Sequence, residues 1–198
     1  KGRYIIMTTR EKMRKGMLYT DMTEGLEEER INCKELIYDY NNTRPREADK
    51  RKELLKKILG NCGENIFIEP PLRMAYGKNT HIGENFYSNF NLVIVDDIEV
   101  YIGDNVMIAP NVTITATGHP IDVETRRTGA QFSKVVNVGN DVWIGSNVVI
   151  LPGIKIGNGS IIGAGSIVTK DIPENVVAVG NPCKVLRKIT DRDKETFK

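Results

Sequence analysis

An unperturbed imidazole titrates near ~6.5, so the two histidines of this 198-residue chain are its best candidates for moving a proton at neutral pH. His119 lies between Gly118, which permits an unusual backbone turn, and Pro120, which holds the preceding residue extended, so its ring is carried on an anchored loop. That placement suits a general base taking a proton from an alcohol. A surface histidine beside a turn is the competing reading. His81 stands ahead of Ile82-Gly83 with nothing nearby to suggest a site, and reads as structural or exposed. Cys33, Cys62 and Cys183 are odd in number and far apart, with no CxxC, which argues against a disulfide framework and a zinc site. None has the surroundings of a nucleophile. No metal is expected. Gly157, Gly159 and Gly163 form GxGxxxG, one residue off the dinucleotide fingerprint, and no Walker pattern occurs.

The elements that must position His119 come from two different compositions. Residues 1–80 contain seven Ile and no Val, whereas residues 81–180 contain 31 Ile plus Val, so the second block must be β-rich. Helical spacing runs through residues 8–19 and 27–40, and residues 46–59 place Leu54, Leu55, Ile58 and Leu59 on one stripe that stops at Gly60. Residues 63–76, with Pro70 and Pro71, read as a link. The net charge of +2 gives no global field for nucleic acid, and no apolar run approaches the ~18 residues of a membrane span. Nothing at the N-terminus reads as a signal peptide, so cytoplasm is the expected location. Residues 1–6 read as an addition ahead of an original start at Met7. Charge is uneven, with +4 in residues 1–80, −5 in residues 81–180 and +3 in the last eighteen.

In the β-rich block Val138, Ile144, Ile150, Ile156, Ile162 and Val168 recur every six residues. Gly139, Gly145, Gly157 and Gly163 follow four of them, and the fourth position after each is small or aliphatic. Ile102, Ile108 and Ile114 continue the period, and an earlier tract starts at Ile82. Two extra residues near Asp96 and Asp97 and a polar stretch at 118–137 interrupt it, and read as loops. Six residues suit a short strand plus a corner, with Gly relaxing the bend; three sides close one coil, and stacked coils make a parallel β-helix. Period does not give its hand, and the general crossover preference would suggest right.

Beyond the repeat, LYTDM (18–22), EPP (69–71), NFNLVIVDD (89–97), IGDNVMIAPNV (102–112), TGHP (117–120), VWIGSNVVI (142–150) and IGAGSIVTKDIP (162–173) resemble the hexapeptide-repeat acyltransferases. TGHP with the TDM and VDD segments narrows the resemblance to the galactoside and maltose O-acetyltransferases. It implies a mainly β fold, a left-handed parallel β-helix, over residues 63–183 with the projecting loop 118–137, after an N-terminal helical segment (1–62) and before a C-terminal tail (184–198). It further implies a homotrimer with sites between subunits, acetyl-CoA as donor and a sugar hydroxyl as acceptor, with His119 as general base in a ternary complex.

By position in these motifs the resemblance assigns Asp21, Arg30, Asn89 and Asp97 to the acceptor, a polar set that suits a pyranose. Local readings compete: Asp21 as a helix cap, Arg30 as a solvated charge, Asp96-Asp97 as a turn. Tyr87 could offer an apolar sugar face, or simply pack. The galactoside enzymes have serine where this chain has Ala75, so galactoside preference is not implied. Trp143, Ser146, Ala164, Thr169, Lys170 and Arg187 are assigned to the coenzyme, with Trp143 near the acetyl end and an amide around Ser146 near the oxyanion. Against these stand subunit packing for Trp143, coil closure for 169–171 and a solvated helix for the tail. A non-catalytic trimeric scaffold or sugar-binding protein, and acetylation of an aminoglycoside or other antibiotic, are the alternatives.

Overall fold

The computed structural model describes residues 7–22 and 25–195. The reading of residues 1–6 falls outside them. Three parallel sheets form the walls of a β-solenoid. The first face stacks Asn61–Cys62, Thr80–Ile82, Val100–Ile102, Val136–Val138 and Lys155–Ile156. The second stacks Ile66–Ile68, Phe86–Ser88, Met107–Ile108, Trp143–Ile144, Ile161–Ile162 and Val176–Val179. Leu72–Met74, Leu92–Val95, Thr113–Thr115, Val149–Ile150 and Ile167–Val168 make the third. Residues 63–76 are therefore already coil rather than a link.

Register explains the interruptions. Val138 pairs with Ile156, eighteen residues on, which is three hexapeptides. Ile82 pairs with Ile102, twenty residues on, the two extra falling at the Asp96-Asp97 corner, and Cys62 pairs with Ile82 at the same interval. Ile102 pairs with Val138, thirty-six residues on, because a loop leaves the body between the third and first faces. Inward Ile82, Ile102, Val138 and Ile156 form one column of the core, and Ile94, Ile114, Ile150 and Val168 another; all are buried. The small inward residues Ser160 and Ser166 are buried too, each satisfied by a carbonyl and an amide: Ser160 Oγ donates to Pro173 O at 2.7 Å, and Ser166 Oγ accepts from Gly180 N at 3.0 Å.

The bends are made differently from the expectation. Positive φ falls at Asp141, Asn147, Gly153, Gly159 and Gly165, one residue in six, and in earlier coils at Asn85, Asn91, Asn105 and Asn111. Asn and Asp tolerate the left-handed region, and here their side chains also link coils: Asn85 Nδ2 donates to Asn105 Oδ1 at 3.0 Å, and Asn105 Nδ2 to Asp141 Oδ1 at 2.9 Å. The repeat glycines do not relax a bend. They permit close stacking, since a Cβ on Gly145 would lie 2.6 Å from Ala164 N.

Helices close one end. α1 (Thr9–Arg14) is shorter than its spacing predicts; α2 (Leu26–Asn41) and α3 (Ala48–Ile58) match. Leu54, Leu55 and Ile58 of α3 and Ile37 and Tyr40 of α2 join the solenoid core with Ile68, Leu72 and Phe86. At the other end the chain turns back as an antiparallel strand, Lys184–Lys188, on Val176–Val179, so the tail is not a solvated helix there.

Candidate active site

The corner between the third and first faces carries Asp96 and Asp97, which divide their labour. Asp96 is fully buried, and its carboxylate accepts the Tyr76 amide and the Thr80 hydroxyl, each at 2.9 Å. Burial outweighs those bonds and pushes its pKa up to about 6. The native state thus holds this proton more tightly than the unfolded chain, where the carboxyl titrates near 3.8. The contribution of this one carboxyl to stability is greatest below pH 4 and is lost as pH rises through about 6, by roughly 3 kcal/mol in all and about 1 kcal/mol of it between pH 5 and 7. Asp96→Asn is expected to remove that slope, read as the change in melting temperature between pH 5 and pH 7 relative to the parent chain.

Asp97 turns toward the N-terminal segment. Its carboxylate accepts from the Tyr19 hydroxyl at 3.0 Å, and burial raises its pKa. Tyr19 Oη also lies 2.6 Å from Ser133 Oγ and 3.3 Å from Thr117 Oγ1. Tyr19 belongs to a small buried cluster with Met13, Leu26 and Tyr76, against which Ala75 packs. From α2, Arg30 donates to the carboxylate of Asp21 at 2.8 Å and to the Tyr76 hydroxyl at 2.7 Å. Its guanidinium also sits 5.6 Å from the Tyr76 ring, with that of Arg10 at 4.8 Å. Asp21, Arg30 and Asp97 are thus assembled within one chain around Tyr19 and Tyr76. Arg30 is no solvated charge.

The excursion after Thr113–Thr115 begins with Thr117–Gly118, which pairs antiparallel with Phe132–Ser133. Gly118 has no positive φ and so makes no unusual turn, and its missing Cβ leaves room for the Phe132 ring, which would lie 2.7 Å from a Cβ there. The loop ties itself down: Asp122 caps a short helix, α4 (Val123–Arg127), and Arg126 donates to the carbonyls of Pro120 and Ile121 at 3.0 and 2.7 Å. His119 Nδ1 lies 2.9 Å from Ala130 O. A carbonyl only accepts, so Nδ1 carries the hydrogen, and in the neutral ring Nε2 keeps its lone pair. Next to Ala130, Gln131 pairs in both directions with the backbone of Tyr19, at 3.1 and 2.8 Å. Gln131 Oε1 is the one sealed side-chain polar atom without a partner among the described residues.

Asn89, Ser146 and Ala164 occupy a different corner, between the second and third faces, and stack along it: Gly165 N donates to Ser146 O at 2.8 Å. Thr169 and Lys170 follow the last strand of the third face, at the corner where Asp97 and the loop sit. Trp143 projects from the second face in a column with Phe67, Tyr87 and Met107, all about half exposed. Arg187 makes a two-pronged pair with Asp193, at 2.6 and 2.9 Å, which holds the Asp193 carboxyl at about 2. One chain therefore does not bring Asn89 or Trp143 to Asp97. Burial raises all three thiols, Cys33 to about 12, and leaves them protonated at neutral pH. Among the described residues no His, Cys, Asp or Glu cluster could hold a metal, and no helix is long and apolar enough to cross a membrane.

Sequence reasoning missed Tyr19, Tyr76, Thr117 and Ser133. Tyr19 stands inside the LYTDM segment and Tyr76 beside Ala75, so the segments were visible, but these contacts span up to 114 residues.

Comparison with known proteins agrees with this fold. The maltose acetyltransferase hexapeptide capping motif matches residues 12–63, and the bacterial transferase hexapeptide (six repeats) matches residues 136–170. The galactoside O-acetyltransferase of Escherichia coli (strain K12) is 56% identical over 191 residues, covering 96% of this chain and 94% of that protein. That of Lactococcus lactis is 46% identical, covering 91% and 87%. A structure of galactoside acetyltransferase in complex with coenzyme A superimposes with a TM-score of 0.95 at 55% identity, covering 98% and 96% of the two chains. The maltose O-acetyltransferase of Clostridium difficile 630 does so at 0.91 and 48%, covering 93% and 99%. With this solenoid, this capping segment and these relatives, the chain belongs to the hexapeptide-repeat acetyltransferases, in the branch of the galactoside and maltose O-acetyltransferases.

Proposed function

We propose that the protein transfers the acetyl group of acetyl-CoA to a hydroxyl of a sugar, a galactoside, glucoside or maltose, in a ternary complex. The observation that carries the reading is His119, whose Nδ1 is fixed on Ala130 O so that Nε2 is free to act as base. Nε2 takes the hydroxyl proton as the sugar oxygen attacks the thioester carbonyl. A C–O bond forms, the C–S bond breaks as the tetrahedral intermediate collapses, and the imidazolium returns the proton to the leaving sulfur. Asp21, Arg30, Asn89 and Asp97 hold the acceptor, and an amide around Ser146 stabilises the oxyanion. The protonated thiols suit direct transfer without an acyl-cysteine. The left-handed sense of the coil rests on the family resemblance.

The active unit is a homotrimer with its sites between subunits. Two observations support this. Asn89, Ser146 and Ala164 lie one face away from Asp97 and the His119 loop, so a complete site needs one corner of a chain against the other corner of its neighbour. The column of Phe67, Tyr87, Met107 and Trp143, and Ile121 on the loop at 95% exposure, are apolar surfaces of the kind subunit contacts cover. A solution mass of three times the 22.2 kDa chain is expected. The cytoplasm suits its three free cysteines.

Trp143, Ser146, Ala164, Thr169, Lys170 and Arg187 would line the coenzyme. Lys170 is exposed and available to a phosphate, whereas Arg187 must share its guanidinium with Asp193. An exposed pair of that kind is weak, and a phosphate can compete for the guanidinium. Lys170→Ala is expected to raise KM for acetyl-CoA by about fivefold, leaving kcat and the sugar KM unchanged in steady-state kinetics.

Thiol release from acetyl-CoA with glucose, maltose, a β-galactoside and an aminoglycoside tests the reading. Stimulation by a sugar alone supports it. Stimulation only by the aminoglycoside moves the acceptor to that class, no stimulation in a folded trimer that binds the coenzyme places the acceptor outside these four, and absence of coenzyme binding as well leaves a non-catalytic scaffold.

A further inference from the structure

The most connected buried side chain near the site is Tyr19, which is 4% exposed and has no place in the reaction as described so far. Its hydroxyl reaches Asp97 Oδ2 at 3.0 Å, Ser133 Oγ at 2.6 Å and Thr117 Oγ1 at 3.3 Å, while Thr117 and Ser133 lie 2.8 Å from each other. A carboxylate only accepts, so Tyr19 donates to Asp97, and its own oxygen is then open to the Ser133 hydroxyl. The resulting chain of hydroxyls runs from the two strands at the base of the loop to the carboxylate, and each bond polarises the next. The backbone of Tyr19 meanwhile pairs with Gln131, the neighbour of the Ala130 carbonyl that fixes His119. Two residues further on is Asp21, held by Arg30.

We infer that Tyr19 is a positioning residue that couples the acceptor carboxylate, Asp97, to the loop that carries the base, His119. The inference rests on the acetyl-transfer reading above. With Oδ2 engaged by Tyr19 and the Thr117 side chain also bonded to the carboxyl, the direction of the lone pairs left for an acceptor hydroxyl is set by the same phenol that anchors the loop. Acceptor binding and base placement thereby share one joint. A residue serving only to fill the small cluster of Met13, Leu26 and Tyr76 would need the ring but not the hydroxyl.

Tyr19→Phe keeps the ring and the backbone pairing and removes only the joint. For the sugar, kcat/KM is expected to fall by about 10–100-fold, the scale of a misplaced reacting group, with KM for acetyl-CoA unchanged within twofold. The pH profile supplies a readout that packing would not move. Asp97 is faced by Arg10 and Arg14 of α1, Arg30 of α2, Asp21, Tyr76, Asp96 and Glu99, none of which the substitution alters. The Tyr19 bond favours the ionised carboxyl, so its loss raises the Asp97 pKa and moves Asp97's contribution to the acid limb of the sugar kcat/KM profile to higher pH. Ser133→Ala, which removes the second link but not the bond to Asp97, is expected to give a smaller loss of the same kind. If Tyr19→Phe fails to fold, Ser133→Ala decides by the kinetic criterion, a loss in sugar kcat/KM with KM for acetyl-CoA unchanged. Unchanged sugar kinetics and an unmoved acid limb overturn the inference, as do losses shared equally by sugar and acetyl-CoA parameters that track a lowered melting temperature. Parent enzyme measured alongside separates the two claims: absence of sugar-dependent turnover in the parent itself overturns the functional reading, and the inference with it.

Discussion

His119→Ala is expected to lower kcat for acetyl transfer by ~10²–10⁴, about 3–5 kcal/mol of barrier, while coenzyme binding and the fold persist. The size follows from the ring's placement. Its Nδ1 hydrogen is committed to Ala130 O, so the tautomer with a basic Nε2 is selected before substrate arrives. Its loop is held by two strands, by Arg126 on the carbonyls of Pro120 and Ile121, and by Tyr19 on Gln131. Alanine leaves all of those anchors in place. The loss should therefore appear in kcat, with KM for acetyl-CoA within twofold of the parent, in an assay of thiol release at saturating sugar. A loss in coenzyme affinity with kcat preserved would assign His119 to donor binding instead.

Gly103→Val should unfold the solenoid or lower its melting temperature sharply, at a cost on the order of 3 kcal/mol or more. A Cβ at Gly103 would lie 2.2 Å from Asn140 Oδ1 and 2.8 Å from Gly139 C, and Gly139 N in turn donates to Ile156 O in the next coil. The clash is with backbone that cannot move without breaking the ladder, so relaxation is shut off in both directions. Asn105→Gly, two residues away, keeps the left-handed bend and loses only its side-chain links, and should cost far less. Thermal unfolding of the two variants side by side measures the contrast. Equal stability of Gly103→Val and the parent would show that coil spacing is looser than these distances allow.

The body of the fold was legible because a solenoid writes its geometry locally. Each inward Ile or Val faces the next coil's equivalent, and a period of six survives any change in the outward residues. The bends were misassigned for an equally local reason. Gly139 and Gly145 looked like flexible corners, whereas Asp141 and Asn147, at the same spacing, take the positive φ. A stacked backbone needs missing Cβ atoms where coils touch and tolerant Asn or Asp where the chain turns, and a sequence shows both as small or polar residues.

The candidate site was legible only in fragments. His119 stood out by chemistry and its neighbours, and Asp21, Arg30 and Asp97 by family motif. What joins them is Tyr19, through contacts across 78 and 114 residues, which no spacing pattern announces. Asp96 and Asp97 adjoin in sequence, yet one is turned into the corner and the other toward Tyr19. Asn89 and Trp143 lie on surfaces that one chain leaves open, away from the corner of Asp97, so nothing within the chain joins them to the rest.

The most direct test of sugar acetylation by His119 is a product measurement. Acetyl-CoA and the best sugar acceptor are incubated with the parent enzyme and with His119→Ala, and free coenzyme thiol and O-acetyl sugar are quantified together by mass spectrometry. One acetyl sugar for each thiol released, with both falling at least ~100-fold in the variant, is the expected result. Thiol released at the same rate without sugar, or acetyl sugar formed equally well by His119→Ala, would contradict it.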